Sequence, residues 1–254
     1  MSDPLAIFGL AGQHAVISGG GSGLGLAIAT CFVAAGARVT ITGTNEAKLQ
    51  AAATQLGAQA GFARFDVTDT DGAEAFAETV ANQHGSASIL VNNAGNTLKK
   101  PIAEMTPADF QSVLGVHVGG AYALSRAFLP QIAAVKGSIL FTASMSSFLG
   151  VPNVIGYSAA KSAYVGMVRA MSTELLPQGV RVNGVAPGWI DTALFREATD
   201  KDPARKAKIE ARIPAQRFGS PADIGWAMTY LASAAAGFVS GHILVVDGGA
   251  LHAF

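Results

Sequence analysis

Tyr157 and Lys161 stand four residues apart in the run Tyr157-Ser158-Ala159-Ala160-Lys161. On a helix that spacing puts both side chains on one face. A free phenol titrates near pH 10 and is a poor base at neutral pH. A cation about 4 Å away stabilises the phenolate by up to roughly 4 kcal/mol at an effective dielectric of 20, about three pKa units. The pair can therefore transfer a proton near neutrality, although an exposed helical pair has the same spacing. Ser144 lies thirteen residues before Tyr157, just past the apolar run 138–143. A hydroxyl there can hydrogen-bond a carbonyl or alcohol oxygen and hold it near the phenol. Ser146 and Ser147 are its rivals by composition.

A second chemical feature is the run Ser18-Gly19-Gly20-Gly21-Ser22-Gly23-Leu24-Gly25. Glycines there permit positive φ and let the backbone approach a ligand closely. The helix that follows offers unpaired N–H groups and a positive dipole end to an anion. Between a strand and a helix, that anion is a dinucleotide pyrophosphate; taken alone, the run is only a tight turn. No Gly-Lys-Ser/Thr follows, so it is not a P-loop. Dinucleotide folds read the adenosine ribose at the end of the second strand, with an acid for NAD or a basic residue for NADP. Here the chain reads Ile41-Thr42-Gly43-Thr44-Asn45, with neither. No carboxylate repels a phosphate, and Ser22, Thr44 and Asn45 can donate to one. No Arg or Lys stands in the obvious place, and Arg38 is at the far end of the strand. The reading leans to NADP, with NAD as the alternative.

The elements that must position these groups alternate. Short β-rich runs are expected at His14 to Ser18, Arg38 to Thr42, Ala60 to Phe65, Ser88 to Asn92, Ser138 to Ala143, Val180 to Ala186 and Ile243 to Asp247. Helices are expected at Leu24 to Ala35, from an Asn45 cap to about Leu56, Thr70 to His84, Thr106-Pro107 to about Leu129, and Tyr157 to Leu176. Such βαβ alternation implies a mostly parallel sheet with helices on both faces. No Pro/Gly/Ser linker divides the chain, so residues 1–254 read as a single domain. The polar stretch Arg196 to Arg212 is a solvated helix pair or part of a mobile lid over 192–214.

Taken in order, Ser18-Gly19-xxx-Gly23-Leu24-Gly25, Asp66-Val67, Asn92-Asn93-Ala94-Gly95, Ser144, Tyr157-xxx-Lys161, Pro187-Gly188 with Thr192, and Asp247-Gly248-Gly249 resemble the short-chain dehydrogenase/reductase family nearly end to end. The resemblance implies an α/β fold, a doubly wound (Rossmann) parallel sheet of about seven strands. It also implies an NAD(P)-dependent oxidoreductase acting on a secondary alcohol or ketone, and a homo-oligomer, a tetramer rather than a dimer. Its cofactor residues would be Ser18, Gly19, Gly21, Ser22, Gly23, Leu24 and Gly25 at the turn, with Thr44 and Asn45. Asp66 with Val67 would meet the adenine, unless Asp66 is a turn or cap acid. Asn93, Ala94 and Gly95 would line the adenosine side, with Asn93 alternatively structural. Tyr157 and Lys161 would meet the nicotinamide ribose, and Pro187, Gly188, Ile190 and Thr192 the carboxamide.

One position departs from the family's pattern. Where members carry an asparagine in Val-Asn-x-x-Gly, this chain reads Val116-His117-Val118-Gly119-Gly120. His117 thereby joins Ser144, Tyr157 and Lys161 as a catalytic candidate. An imidazole donates and accepts like an amide and can hold a water that relays protons to Lys161. It also titrates near neutrality. A satisfied structural histidine is the alternative. Around the substrate the expected residues are Ser144, Met145, Ser146, Asn96, Lys99, Val154, Trp189, Phe195 and Arg196. Lys99, Lys100 or Arg196 would bind a carboxylate. The chain also resembles the gluconate 5-dehydrogenase-like and polyol dehydrogenase branches, which points to a sugar acid or polyol. Met145, Trp189 and Phe195 support a reductase of hydrophobic or cyclic ketones instead. A non-catalytic dinucleotide-binding sensor or scaffold is the rival from another class.

Composition sets the outer bounds. Of 254 residues half are hydrophobic and 13% charged, and seventeen basic side chains balance seventeen acidic ones. A disordered chain needs more charge, and a nucleic-acid binder shows a basic excess. No apolar run reaches the roughly 18–20 residues of a membrane span. The single cysteine, Cys31, fits a reducing compartment, and the N-terminus lacks signal-peptide features, so a cytoplasmic location is expected. The histidines show no metal spacing, and no Gly-x-Ser-x-Gly elbow points to a hydrolase.

Overall fold

Seven short runs, several apolar on both faces, form one sheet in the computed structural model, which describes residues 4–199 and 202–253. The strands are β1 (His14–Ser18), β2 (Arg38–Gly43), β3 (Ala60–Arg64), β4 (Ile89–Asn92), β5 (Ser138–Thr142), β6 (Arg181–Pro187) and β7 (Ile243–Val246). All neighbours pair in parallel, in the order β3-β2-β1-β4-β5-β6-β7. Every residue of β1, β4 and β5 is buried, as expected of parallel strands covered on both faces. The strand order reverses between β1 and β4, so their carboxyl ends diverge into a crevice.

The helices are α1 (Gly23–Ala34), α2 (Glu46–Leu56), α3 (Ala73–His84), α4 (Pro107–Leu114), α5 (Gly120–Ala134), α6 (Ile155–Leu175), α7 (Ala193–Thr199), α8 (Pro203–Glu210) and α9 (Pro221–Ala232). They divide the apolar interior in two. One cluster joins the sheet to α3, α5 and α6 through Phe76, Leu124, Phe128 and Val168. The other joins it to α1, α2 and α9 through Ile28, Phe32, Leu49 and Met228. The expected cap of α2 is present, with Asn45 Oδ1 accepting from the Lys48 amide at 3.0 Å.

Three expectations are corrected. The helix expected from Thr106 to Leu129 is interrupted by a π-helical turn over Gly115–Gly119 and runs on to Ala134. Glycines at both ends of that turn weaken the ordinary helix, and a single π turn inserts one residue to re-aim a side chain. The helix expected from Thr70 begins at Ala73, because the Asp69 carboxylate first accepts from the Gly72 amide and closes a turn. Finally, α9 was not anticipated, although Ser220-Pro221-x-Asp223 builds a full capping box with proline at its start. It packs on α1 where Gly225 faces Cys31 so closely that a Cβ would strike the sulfur. Burial there pushes the thiol up to about 11, which makes Cys31 a packing residue. The polar stretch after β6 forms the helix pair α7 and α8; positions 200 and 201 of the expected lid lie outside the described residues.

Candidate active site

The glycine run leaves β1 at Gly19 (φ +66°) and enters α1 at Gly23 (φ +54°). A Cβ on Gly19 would sit 2.9 Å from the Ala94 Cα, and one on Gly25 would collide with the Gly19 carbonyl. These glycines bring α1, β1 and the β4 loop together, while Gly23 faces open space. Ser18 works below them. Its hydroxyl accepts from the Asn93 and Ala94 amides, both at 3.0 Å, and donates to the Val91 carbonyl. Asn93 donates to the Ser18 carbonyl at 3.0 Å and accepts from the Thr142 hydroxyl at 3.1 Å. It thus ties together β1, β4 and β5.

Two adjoining cavities run over the carboxyl edge and share Gly19, Ser22, Ala94 and Gly95 in their walls. The first, about 440 Å³, is walled by Thr44, Asn45, Asp66 and Val67 among others. The second, about 550 Å³, reaches Ser144, Tyr157, Lys161 and His117, with Pro187, Gly188, Ile190 and Thr192 opposite. A dinucleotide fits this donor set: a glycine cradle at a helix start, with a mostly apolar trough carrying a few polar groups on each side. Of the expected cofactor residues, Ser18 is buried beneath the floor and does not line the crevice. Asp66 accepts at one carboxylate oxygen from the Thr68 amide and hydroxyl, which holds its carboxyl below the usual range. It is both a turn acid and a lining residue. Lys48 lines the adenosine side as well. It was missed because it stands one helical turn past the strand end.

β5 delivers Ser144, and α6 carries Tyr157 and Lys161 past it. The Ser144 hydroxyl receives the Ser146 amide at 3.1 Å and stands close enough to the phenol to favour its ionised form. The Lys161 ammonium donates to the Thr142 carbonyl at 2.6 Å and lies 5.6 Å from the centre of the Tyr157 ring. Here the expected electrostatics are corrected. Burial pushes the phenol up, against the effect of Ser144, and pushes Lys161 down to about 7. Desolvation disfavours phenolate and ammonium alike, and it outweighs the attraction the sequence suggests. The resting phenol is neutral, the form that gives a proton.

His117 is 1% exposed, on the π-helical turn. Its Nε2 meets the Asn96 carbonyl at 2.9 Å and amide at 3.2 Å, and its Nδ1 is buried without a partner. The ring edge lies against Gly95 where any Cβ would clash, and stands edge-on to Tyr157 at 5.6 Å. Burial, then the Lys161 charge, push the imidazole down to about 4. The expected titration near neutrality is corrected accordingly: this histidine is neutral at physiological pH.

The expected substrate residues divide. Asn96, Ser144, Trp189 and Phe195 line the crevice, together with Thr97 from the same loop as Asn96. Met145 instead packs with Ile213 and Ala250, Val154 is in the interior, and Ser146 is buried below Ser144. Lys99 and Arg196 stand outside the lining. Arg196 is paired with Asp191 at 3.1 Å and Lys100 with Asp109 at 2.8 Å. Lys99 is exposed and makes no ion pair among the described residues.

The family model described as enoyl-(acyl carrier protein) reductase matches residues 19–251. A 3-oxoacyl-(acyl-carrier-protein) reductase of Chlamydia muridarum is 33% identical over 94% of this chain and 98% of its own. The 5-keto-D-gluconate 5-reductase of Escherichia coli K12 is 34% identical over 96% and 98%. A gluconate 5-dehydrogenase of Burkholderia cenocepacia, solved with NADP and tartrate, superposes with a TM-score of 0.94 at 32% identity, covering 99% of this chain and all of that one. With the strand order, the glycine cradle and the Ser144–Tyr157–Lys161 cluster already in place, these matches show that the chain belongs to the short-chain dehydrogenase/reductase family of NAD(P)-dependent oxidoreductases.

Proposed function

We propose that this enzyme reduces the ketone of a keto sugar acid with NADPH, and catalyses the reverse oxidation, at the carboxyl edge of a single domain. The observation that carries the reading is the half-buried Tyr157 phenol beside Ser144 and Lys161 in one crevice wall, with burial holding the phenol in its proton-bearing form. The bound nicotinamide supplies or accepts the hydride. The chain does the rest: Ser144 and Tyr157 hold the carbonyl oxygen, and Tyr157 gives it a proton. Lys161 resupplies that proton. The unpartnered Nδ1 of His117 is buried in the same wall and, donor in one tautomer and acceptor in the other, suits a relay water. It takes the place the family gives to an asparagine.

Preference for NADP is supported by Lys48 on the adenosine side and by the lack of an acid at the end of β2. A sugar acid is supported by the gluconate-acting relatives and by Lys99, an exposed cation three residues past the lining Asn96 with no ion pair among the described residues. A hydrophobic ketone is the second reading, favoured by the Trp189 and Phe195 walls and the 3-oxoacyl relative. A homo-oligomer is supported by exposed Tyr122, Trp226 and Phe238, and the family resemblance favours a tetramer. Saturation kinetics on 5-keto-D-gluconate and on a cyclic ketone, each with NADPH and NADH, test the reading. Higher kcat/KM for the keto acid with NADPH supports it; preference for the cyclic ketone overturns the substrate.

A further inference from the structure

Tyr164 is fully buried on α6, seven residues past Tyr157 and three past Lys161, so the three side chains follow one stripe of the helix. Its ring face lies 4.8 Å from the Lys161 ammonium, closer than the Tyr157 ring. Its hydroxyl donates to the His117 carbonyl at 3.1 Å, on the π-helical turn. Phe141 backs the ring at 5.1 Å, and His117 stands edge-on to it at 6.2 Å. From these contacts we propose that Tyr164 is a positioning residue: its ring carries the Lys161 ammonium, and its hydroxyl pins the turn that presents His117.

The need for such a group is physical. Lys161 is 3% exposed, and no carboxylate pairs with it among the described residues. The titratable groups facing it are Tyr157 and Tyr164 from α6 and His117 from the π turn; β5 offers only the Thr142 carbonyl. An aromatic face attracts a desolvated cation without adding a charge of its own. A carboxylate in that place would hold the lysine charged but would also repel a phenolate. Burial holds Tyr164 far above its ordinary range, so it stays a neutral phenol and does not compete with Tyr157 for the proton. The proposal rests on the reading of Tyr157 and Lys161 as the proton-transfer pair.

The test compares Tyr164→Phe, which keeps the ring, with Tyr164→Leu, which removes it. The readout is Lys161 titration in the cofactor-free full-length protein, followed by NMR of lysine labelled at Cε. A cation–π contact of this kind shifts the titration by about one pH unit. The leucine variant should therefore titrate about one unit lower than the native protein. The phenylalanine variant should stay with the native protein. The alkaline limb of reductive kcat/KM should move in the same way. Equal titration in all three proteins, or an equal shift in both variants, overturns the role of the ring. If the leucine variant does not fold, pentafluorophenylalanine at 164 keeps the shape and reverses the ring's field; its lysine must then titrate lower still, and an unchanged titration overturns the proposal. Should the native protein reduce no carbonyl with either cofactor, the functional reading fails, while the titration still decides the role of Tyr164.

Discussion

Two buried histidines mark the two edges of the sheet. His14 opens β1 at the amino edge. Its Nε2 meets the Thr40 hydroxyl at 2.9 Å, its Nδ1 the Ser86 carbonyl at 3.2 Å, and its backbone amide the Ser88 hydroxyl at 3.0 Å. His117 stands beyond the carboxyl edge, with Nε2 tied to Asn96 and Nδ1 bare. Burial lowers both imidazoles. At the amino edge His14 closes both ring nitrogens on neighbours, although Ser138 Oγ and His84 Nε2 there are buried without a partner. The carboxyl edge leaves around a crevice an imidazole nitrogen without a partner, a half-buried phenol and a lysine that has no carboxylate beside it among the described residues. Unsatisfied polar burial costs stability; at the carboxyl edge the groups left open face a crevice that can hold a ligand.

If that contrast is right, substitutions at the carboxyl edge move activity and those at the amino edge move stability. The largest effect is expected at Tyr157. Tyr157→Phe should lower reductive kcat/KM by about 10²–10⁴-fold, the usual worth of a general acid. Cofactor affinity, read by fluorescence titration, should fall far less, by no more than the loss of one ribose hydrogen bond, about tenfold. Lys161→Met should lower activity by about 10²-fold and raise the melting temperature, because an apolar isostere removes the desolvation cost of a buried ammonium. A melting temperature that falls would break the comparison.

His117 sharpens it through pH. The imidazole titrates at about 4 folded and near 6.5 unfolded, so the unfolded chain binds the extra proton between those values. Its contribution to stability is therefore fully present above about 6.5 and is lost as pH falls toward 4, about 3 kcal/mol in all. In urea melts across that range, His117→Asn should flatten this part of the acid loss and keep most of the activity. Full activity with an unchanged pH profile in His117→Ala would remove His117 from the relay. The smallest change is expected at the amino edge. His14→Ala should cost about 1–3 kcal/mol by leaving buried partners unpaired, with kcat/KM unchanged. A fall in kcat/KM would show that the two edges are not separable.

The sheet was legible because its strands are continuous apolar runs between polar turns, and all seven sit within a residue or two of where those runs predict them. Ser144, Tyr157 and Lys161 were legible for another reason: their spacing fixes them on one helix face and at one strand end. The environment of that trio was not legible. Sequence spacing gives the proximity of a cation to a phenol but not the dryness around them, and dryness decides which form each takes. Met145, Ser146 and Val154 were misplaced because loop residues show no period that says which side faces in. Lys48 and Tyr164 were overlooked for the opposite reason. Each sits on a regular helix, and only tertiary packing turns Lys48 toward the adenosine trough and Tyr164 under the ammonium.

The central claim is that the crevice over the carboxyl edge moves a hydride between nicotinamide and a ketone while Tyr157 supplies the proton. Incubating the native enzyme and Tyr157→Phe with 5-keto-D-gluconate and NADPH deuterated at the transferring carbon tests it directly, with mass spectrometry of the product. One deuterium on the new carbinol carbon with the native enzyme, and almost none with the variant, is the predicted result. Cofactor left unoxidised by the native enzyme with this ketone and every other carbonyl offered, or equal labelling by both proteins, would contradict it.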